Sequence, residues 1–173
     1  MKTLFICRHA KSSWAEATLA DFDRPLNERG LRAAPFMGEL MKQKGYSPAV
    51  IYSSPAVRAR TTALLLRKSA DLDAEMRFED RIYEASPQGL RQVVAELNDA
   101  LPSALLVGHN PGIEGFIRFL TGQLESMPTA AIAVIKLNID SWNVIDEGCG
   151  ELKSVYRPKE EMRQVGALNP PRN

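Results

Sequence analysis

Leu4-Phe5-Ile6-Cys7-Arg8-His9-Ala10-Lys11-Ser12-Ser13-Trp14 is the stretch on which the fold turns. Four consecutive apolar residues that stop at an arginine and a histidine describe a buried strand delivering a polar pair to the rim of a sheet. A strand apolar on both faces needs helices above and below it, and such α/β sheets bind ligands at the carboxyl ends of their strands. Arg8 and His9 therefore stand where chemistry is expected.

Ala104-Leu105-Leu106-Val107-Gly108 repeats the pattern and again ends on a histidine, His109. Between them, Ala49-Val50-Ile51-Tyr52 reads as a β-branched strand. Ser53-Ser54-Pro55 then supplies a serine cap and a proline at the first helical position, with Arg58 in the first turn of a helix running to about Lys68. Upstream, Asn27 as N-cap and Gly45 as stop bound a helix with Leu31, Ala34, Met37, Leu40 and Met41 at helical spacing, in which Pro35 predicts a kink or a later start. Met76-Arg77-Phe78 reads as a short strand, and Ser86-Pro87 opens a helix to about Leu97. Asn110-Pro111-Gly112 turns into a further helix, and Ala131–Leu137 and Glu151–Tyr156 read as late strands. Strands alternating with helices predict an α/β fold, a three-layer α/β/α sandwich around a mostly parallel sheet.

At 173 residues and 45% hydrophobic content the chain can bury one sizeable core. One domain is expected over residues 1–157, with the polar, proline-bearing stretch 158–173 as a flexible tail. Its 22 basic and 21 acidic side chains leave a net charge of +1, so no global field draws it to nucleic acid or to an anionic membrane. Any anion recognition must be local. Cys7 and Cys149 form neither a disulfide framework nor a metal motif, and the four apolar residues before Arg8 are too few for a signal-peptide core or a membrane span. A reduced, cytoplasmic location is expected.

The chain has two histidines, and each directly follows an apolar strand. A lone histidine is more often a packed or surface group than a catalyst. Two at strand ends, with Arg8 beside one and Arg58 opening a helix, suggest a site for a dianionic phosphoryl group, because guanidinium forks and helix N-terminal amides match phosphate oxygens. A neutral imidazole attacks phosphorus directly, and the arginines and the second histidine, if protonated, balance the charge on the transferring oxygens. No HxH, HExxH, CxxC, GxGxxG or Walker A pattern is present, so neither a metal nor a cofactor is expected. A proton for the leaving group calls for a carboxyl; Glu84, in the irregular stretch after the third strand, is the best-placed candidate, ahead of Asp21, Asp23 and Glu28.

These residues resemble the histidine phosphatase, or phosphoglycerate-mutase-like, superfamily. Its Arg-His-Gly signature corresponds to Arg8-His9-Ala10, its Leu-Thr-x-x-Gly element to Leu26-Asn27-Glu28-Arg29-Gly30, and its Ser-Ser-Pro-x-x-Arg-Ala element to Ser53-Ser54-Pro55-Ala56-Val57-Arg58-Ala59. Val107-Gly108-His109 matches the fourth, and order and spacing agree over about residues 3 to 138. The resemblance implies His9 as the phosphorylated nucleophile, Arg8 and Arg58 as phosphate clamp, His109 as second catalytic histidine and Glu84 as proton donor. Short length and the run through Trp14 are most similar to SixA-type phosphohistidine phosphatases. This implies a phosphorylated protein as partner, such as a histidine phosphotransfer domain, with small phosphate esters or a non-catalytic phosphate-binding role as alternatives. Ala15, where mutases carry asparagine, and the absence of room for covering insertions argue against mutase activity.

Overall fold

The computed structural model describes residues 1–168. Its strands are β1 (Lys2–Arg8), β2 (Val50–Ser53), β3 (Glu75–Phe78), β4 (Ser103–Gly108), β5 (Ile132–Leu137) and β6 (Gly150–Tyr156). Its helices are α1 (Glu28–Gln43), α2 (Val57–Ser69), α3 (Pro87–Ala95), α4 (Gly112–Thr121) and α5 (Pro158–Leu168). The strands form one sheet in the order β3-β2-β4-β1-β5-β6. The pairings β2–β3, β2–β4 and β1–β4 are parallel, while β1–β5 and β5–β6 are antiparallel, so the sheet is mostly parallel with an antiparallel edge.

Period-two alternation sorts the central strands between two cores. Leu4, Ile6 and Leu106 point toward α3 and α4, where Leu90, Val94, Phe116 and Ile117 pack. Phe5, Cys7, Leu105 and Val107 point the other way, toward Met37, Met41, Ala63 and Leu66 of α1 and α2. This is why β1 and β4 read as unbroken apolar runs: both faces are covered.

Local signals set three of the helix ends. Asn27 Oδ1 accepts from the Gly30 amide at 3.0 Å, Ser86 Oγ accepts from the Gly89 amide at 3.1 Å with Pro87 opening α3, and Gly45 follows α1 at φ +71°. Two expectations on helix starts are corrected. Helix α1 runs through Pro35 from Glu28, without a later start. Helix α2 begins at Val57, not Pro55, and no side chain caps it. The stretch expected as a tail opens as helix α5, Pro158–Leu168; residues 169–173 lie outside the described residues. Among the described residues no helix is long and apolar enough to cross a membrane.

Candidate active site

The strand order does what the sequence could not: it sets β4 between β2 and β1, so three carboxyl ends lie side by side. Arg8 is in register with Gly108 and Ser53 with Val107. The next residues, His9, His109 and Ser54, are therefore neighbours on one rim. The two imidazoles stand 5.1 Å apart between ring centroids, tilted by 49°.

His9 is buried, and its Nδ1 lies 2.7 Å from the Ala10 carbonyl oxygen. A carbonyl only accepts, so Nδ1 carries the proton and Nε2 presents its lone pair. Nε2 bonds to no described residue and is not enclosed. Burial, followed by the nearby cations and His109, drops the His9 pKa to about 3 against the stabilising pull of the Ala10 carbonyl. The ring is neutral at physiological pH. Behind it, the Ala10 amide donates to Thr62 Oγ1 at 2.9 Å, and Thr62 donates to the Arg58 carbonyl at 2.7 Å, tying the first loop to α2. Ala10 is absent from the residues with left-handed backbone, which explains why the turn accepts alanine where the family signature has glycine.

His109 is held differently. Its Nε2 meets Ser54 Oγ at 2.7 Å, and its Nδ1 is buried without a partner. Burial, then Arg58, lowers its pKa to about 4. In the resting site, desolvation and the surrounding guanidiniums therefore favour the neutral ring of His109. A dianion among these groups would reverse the sign of that field and favour the imidazolium.

Arg8 donates from Nη1 to the Met127 carbonyl at 3.2 Å, leaving its buried Nε without a partner. Met127 O also accepts from Asn110 Nδ2 at 3.0 Å, and Glu114 Oε1 binds both that amide group and the Met127 amide, each at 2.9 Å. Arg58 is 5% exposed in the first turn of α2, and its Nε too is buried and unpaired. Orphaned Nε donors on the buried Arg58 and the half-buried Arg8, beside two neutral imidazoles, give this rim a chemistry that suits an anion.

Asp21 is the residue whose importance sequence reading underrated. It lies in a short 3-10 turn, Asp21–Asp23, within the loop after β1. Its backbone oxygen accepts from Arg58 Nη1 at 2.6 Å, and its Oδ2 accepts from Arg58 Nη2 at 3.0 Å and from the Tyr83 hydroxyl at 2.7 Å. Its Oδ1 accepts from Arg24 Nε at 3.2 Å. Those bonds, led by Tyr83, hold the Asp21 pKa near 2, so it stays a carboxylate and is no proton donor. Tyr83 in turn sets its ring edge-on to His109, 5.5 Å between centroids. Only the fold reveals this bridge, because Asp21 and Tyr83 lie in separate irregular loops that carry no periodicity.

Glu84 follows Tyr83 on the same rim, at φ +55°, exposed and bonded to no described residue. Asp23 and Glu28 are exposed and make no bond to the histidines or to Arg58. Among the described residues no group of three His, Cys, Asp or Glu side chains is placed to hold a metal ion.

The sequence pattern of the Histidine phosphatase superfamily (branch 1) matches residues 4–104. The chain belongs to that superfamily. An uncharacterised protein of Mycobacterium tuberculosis is 29% identical over 163 residues, covering 88% of this chain and 99% of its own length. Among solved structures, a protein of Agrobacterium tumefaciens provisionally named phosphohistidine phosphatase SixA superposes with a TM-score of 0.79 at 27% identity, covering 91% of this chain and 98% of its own. The protein histidine phosphatase SixA, solved with tungstate, superposes with a TM-score of 0.80 at 21% identity over 92% of this chain and 99% of its own. The fold and the family are those of a phosphatase.

Proposed function

We propose that the protein hydrolyses phosphohistidine on a protein partner through a covalent phosphohistidine at His9, without a metal. The observation that carries this reading is the Nδ1–H···O=C bond from His9 to Ala10, which leaves Nε2 unprotonated and open beside His109, Arg8 and Arg58. Nε2 attacks phosphorus and the bond to the substrate nitrogen breaks, the departing imidazole taking a proton. Arg8, Arg58 and His109 hold the equatorial oxygens as charge spreads over them. The Ala10 carbonyl stabilises the Nδ1–H of the phosphorylated ring. Water then attacks the same phosphorus, releasing inorganic phosphate and restoring neutral His9. Glu84 supplies the proton when the leaving group is an alkoxide, a service an imidazole leaving group scarcely needs.

Two measurements test this. Incubated with a labelled phosphorylated histidine phosphotransfer domain and chelator, the protein should form an acid-labile, alkali-stable phosphoenzyme. No such species, together with a His9→Ala variant as active as the parent, would overturn the reading. The Glu84→Gln variant should lose roughly 10²-fold or more on alkyl phosphates while phosphohistidine turnover stays within a few fold. Equal loss on both substrates would remove Glu84 from the proton-donor role. Faster parental turnover of small phosphate esters than of the phosphoprotein would favour the ester as substrate.

A further inference from the structure

The rim that carries His9 continues into a cationic groove. Strand β5 runs antiparallel to both β1 and β6, so β6 ends at the same edge as β1, and α5 starts there. The first turn of α1 packs against residue 11: the Asn27 amide donates to the Lys11 carbonyl at 3.0 Å, and a Cβ on Gly30 would sit 2.2 Å from that oxygen. On the other side, the Ala130 amide donates to the carbonyls of Arg8 and His9 at 3.0 and 3.1 Å. Between these walls lies a groove of about 480 Å3 lined by Lys11, Arg29, Arg32, Arg157, Lys159 and Arg163.

This local concentration stands out in a chain whose net charge is only +1. Arg157 is tied to Glu125 at 2.9 Å, and Glu160 is the one acid among the described lining residues. The other five cations have no ion-pair partner among the described residues. Like charges held together without counterions repel one another, and an incoming anionic surface relieves that repulsion. The groove is not purely polar: Ala33, Pro128, Pro158 and Met162 lie among the cations. Among the described residues no aromatic ring lines it, so these residues offer no stacking platform for nucleic-acid bases. Cations interleaved with aliphatic side chains match an acidic polypeptide segment that also carries apolar residues.

We infer that this groove docks an acidic polypeptide segment, held so that a phosphorylated side chain of the same partner reaches His9. The partner's phosphohistidine rests on the function proposed above; the acidic-peptide chemistry of the groove does not. Arg29 and Arg32 are exposed on α1 and belong to neither clamp nor nucleophile, so Arg29→Glu/Arg32→Glu separates docking from chemistry. Lys159→Glu/Arg163→Glu on α5 repeats the test from the opposite wall. Each double variant should raise KM for a phosphorylated histidine phosphotransfer domain by about 10-fold or more at low salt, converging with the parent as salt rises, with p-nitrophenyl phosphate turnover unchanged. A fluorescent 15-residue peptide of alternating glutamate and leucine should bind the parent, and bind either variant at least about 10-fold more weakly. Peptide binding that is absent in the parent or unchanged in both variants overturns the proposal, as does displacement of the peptide by a single-stranded oligonucleotide that binds more tightly through the same residues. If the peptide binds through these residues while the phosphoprotein is not hydrolysed, the docking groove stands and the phosphohistidine reading falls.

Discussion

His9 and His109 end adjacent parallel strands, both buried in whole or part, both with pKa values driven below the ordinary histidine range, yet their hydrogen bonds give them different work. His9 is anchored through Nδ1 to the backbone of the next residue, which frees Nε2. His109 is anchored through Nε2 to Ser54 of the neighbouring strand's end, which leaves the inner nitrogen enclosed. On the function proposed above, the first arrangement suits a nucleophile, while the second fixes the orientation of its ring. Strand position decides where a histidine sits; the partner of its second nitrogen decides what it does.

The sharpest way to break the comparison is to remove each ring in turn. His9→Ala should lower turnover by about 10⁴-fold or more and abolish the phosphoenzyme, since it removes the nitrogen proposed to attack phosphorus. His109→Ala should still form phosphoenzyme, with turnover down by roughly 10²–10³-fold, as for loss of one preorganised donor. Rapid-quench measurement of phosphoenzyme formation separates the two: equal defects in that step would erase the distinction. Arg58→Ala should cost ~2–4 kcal/mol of transition-state stabilisation, read from kcat/KM.

A smaller effect tests whether Ser54 merely orients His109. Ser54→Ala should reduce kcat about 10-fold with KM little changed, the pattern of a group that positions another. Loss confined to KM would contradict it.

The pH dependence sharpens the electrostatic side of the same comparison. Both histidines have folded pKa values, about 3 and about 4, below the unfolded value of 6.5, so the unfolded chain binds more protons at intermediate pH. Stability must therefore fall as pH drops from about 6.5 toward 4, by up to ~1.4 kcal/mol per pH unit for each histidine. Urea midpoints of parent and His109→Ala at pH 7, 6 and 5 should show a shallower acid slope in the variant. Inorganic phosphate, by favouring the charged rings, should also flatten the parental slope. Parallel slopes would mean that His109 is not kept neutral by the fold.

Much of this was legible in the residues themselves. Leu4–Cys7 and Ala104–Val107 announced strands covered on both faces because no polar side chain interrupts either run, and the histidines that end them marked the rim. Asn27, Ser86 and Gly45 marked helix ends because capping is a contact between near neighbours. Ser54 was misread for the same reason: a serine before proline is a local signal for a cap, but its hydroxyl meets His109, 55 residues away in sequence. Nothing in the loop from Lys11 to Pro25 showed that Asp21 would span Arg58, Arg24 and Tyr83.

The amino-acid sequence by itself determined the alternating elements, the placing of Arg8, His9, Arg58 and His109 at strand ends and a helix start, and the family. These depend on residue type and short-range spacing. The tertiary structure alone decided that β4 lies between β1 and β2, and with it the 5.1 Å meeting of the two imidazoles. It alone made His9 the free nitrogen, Asp21 the fixed carboxylate on Arg58, and the cations of α1 and α5 walls of one groove. Strand order and loop closure bring together residues far apart in the chain, and no local pattern encodes the partner each will meet.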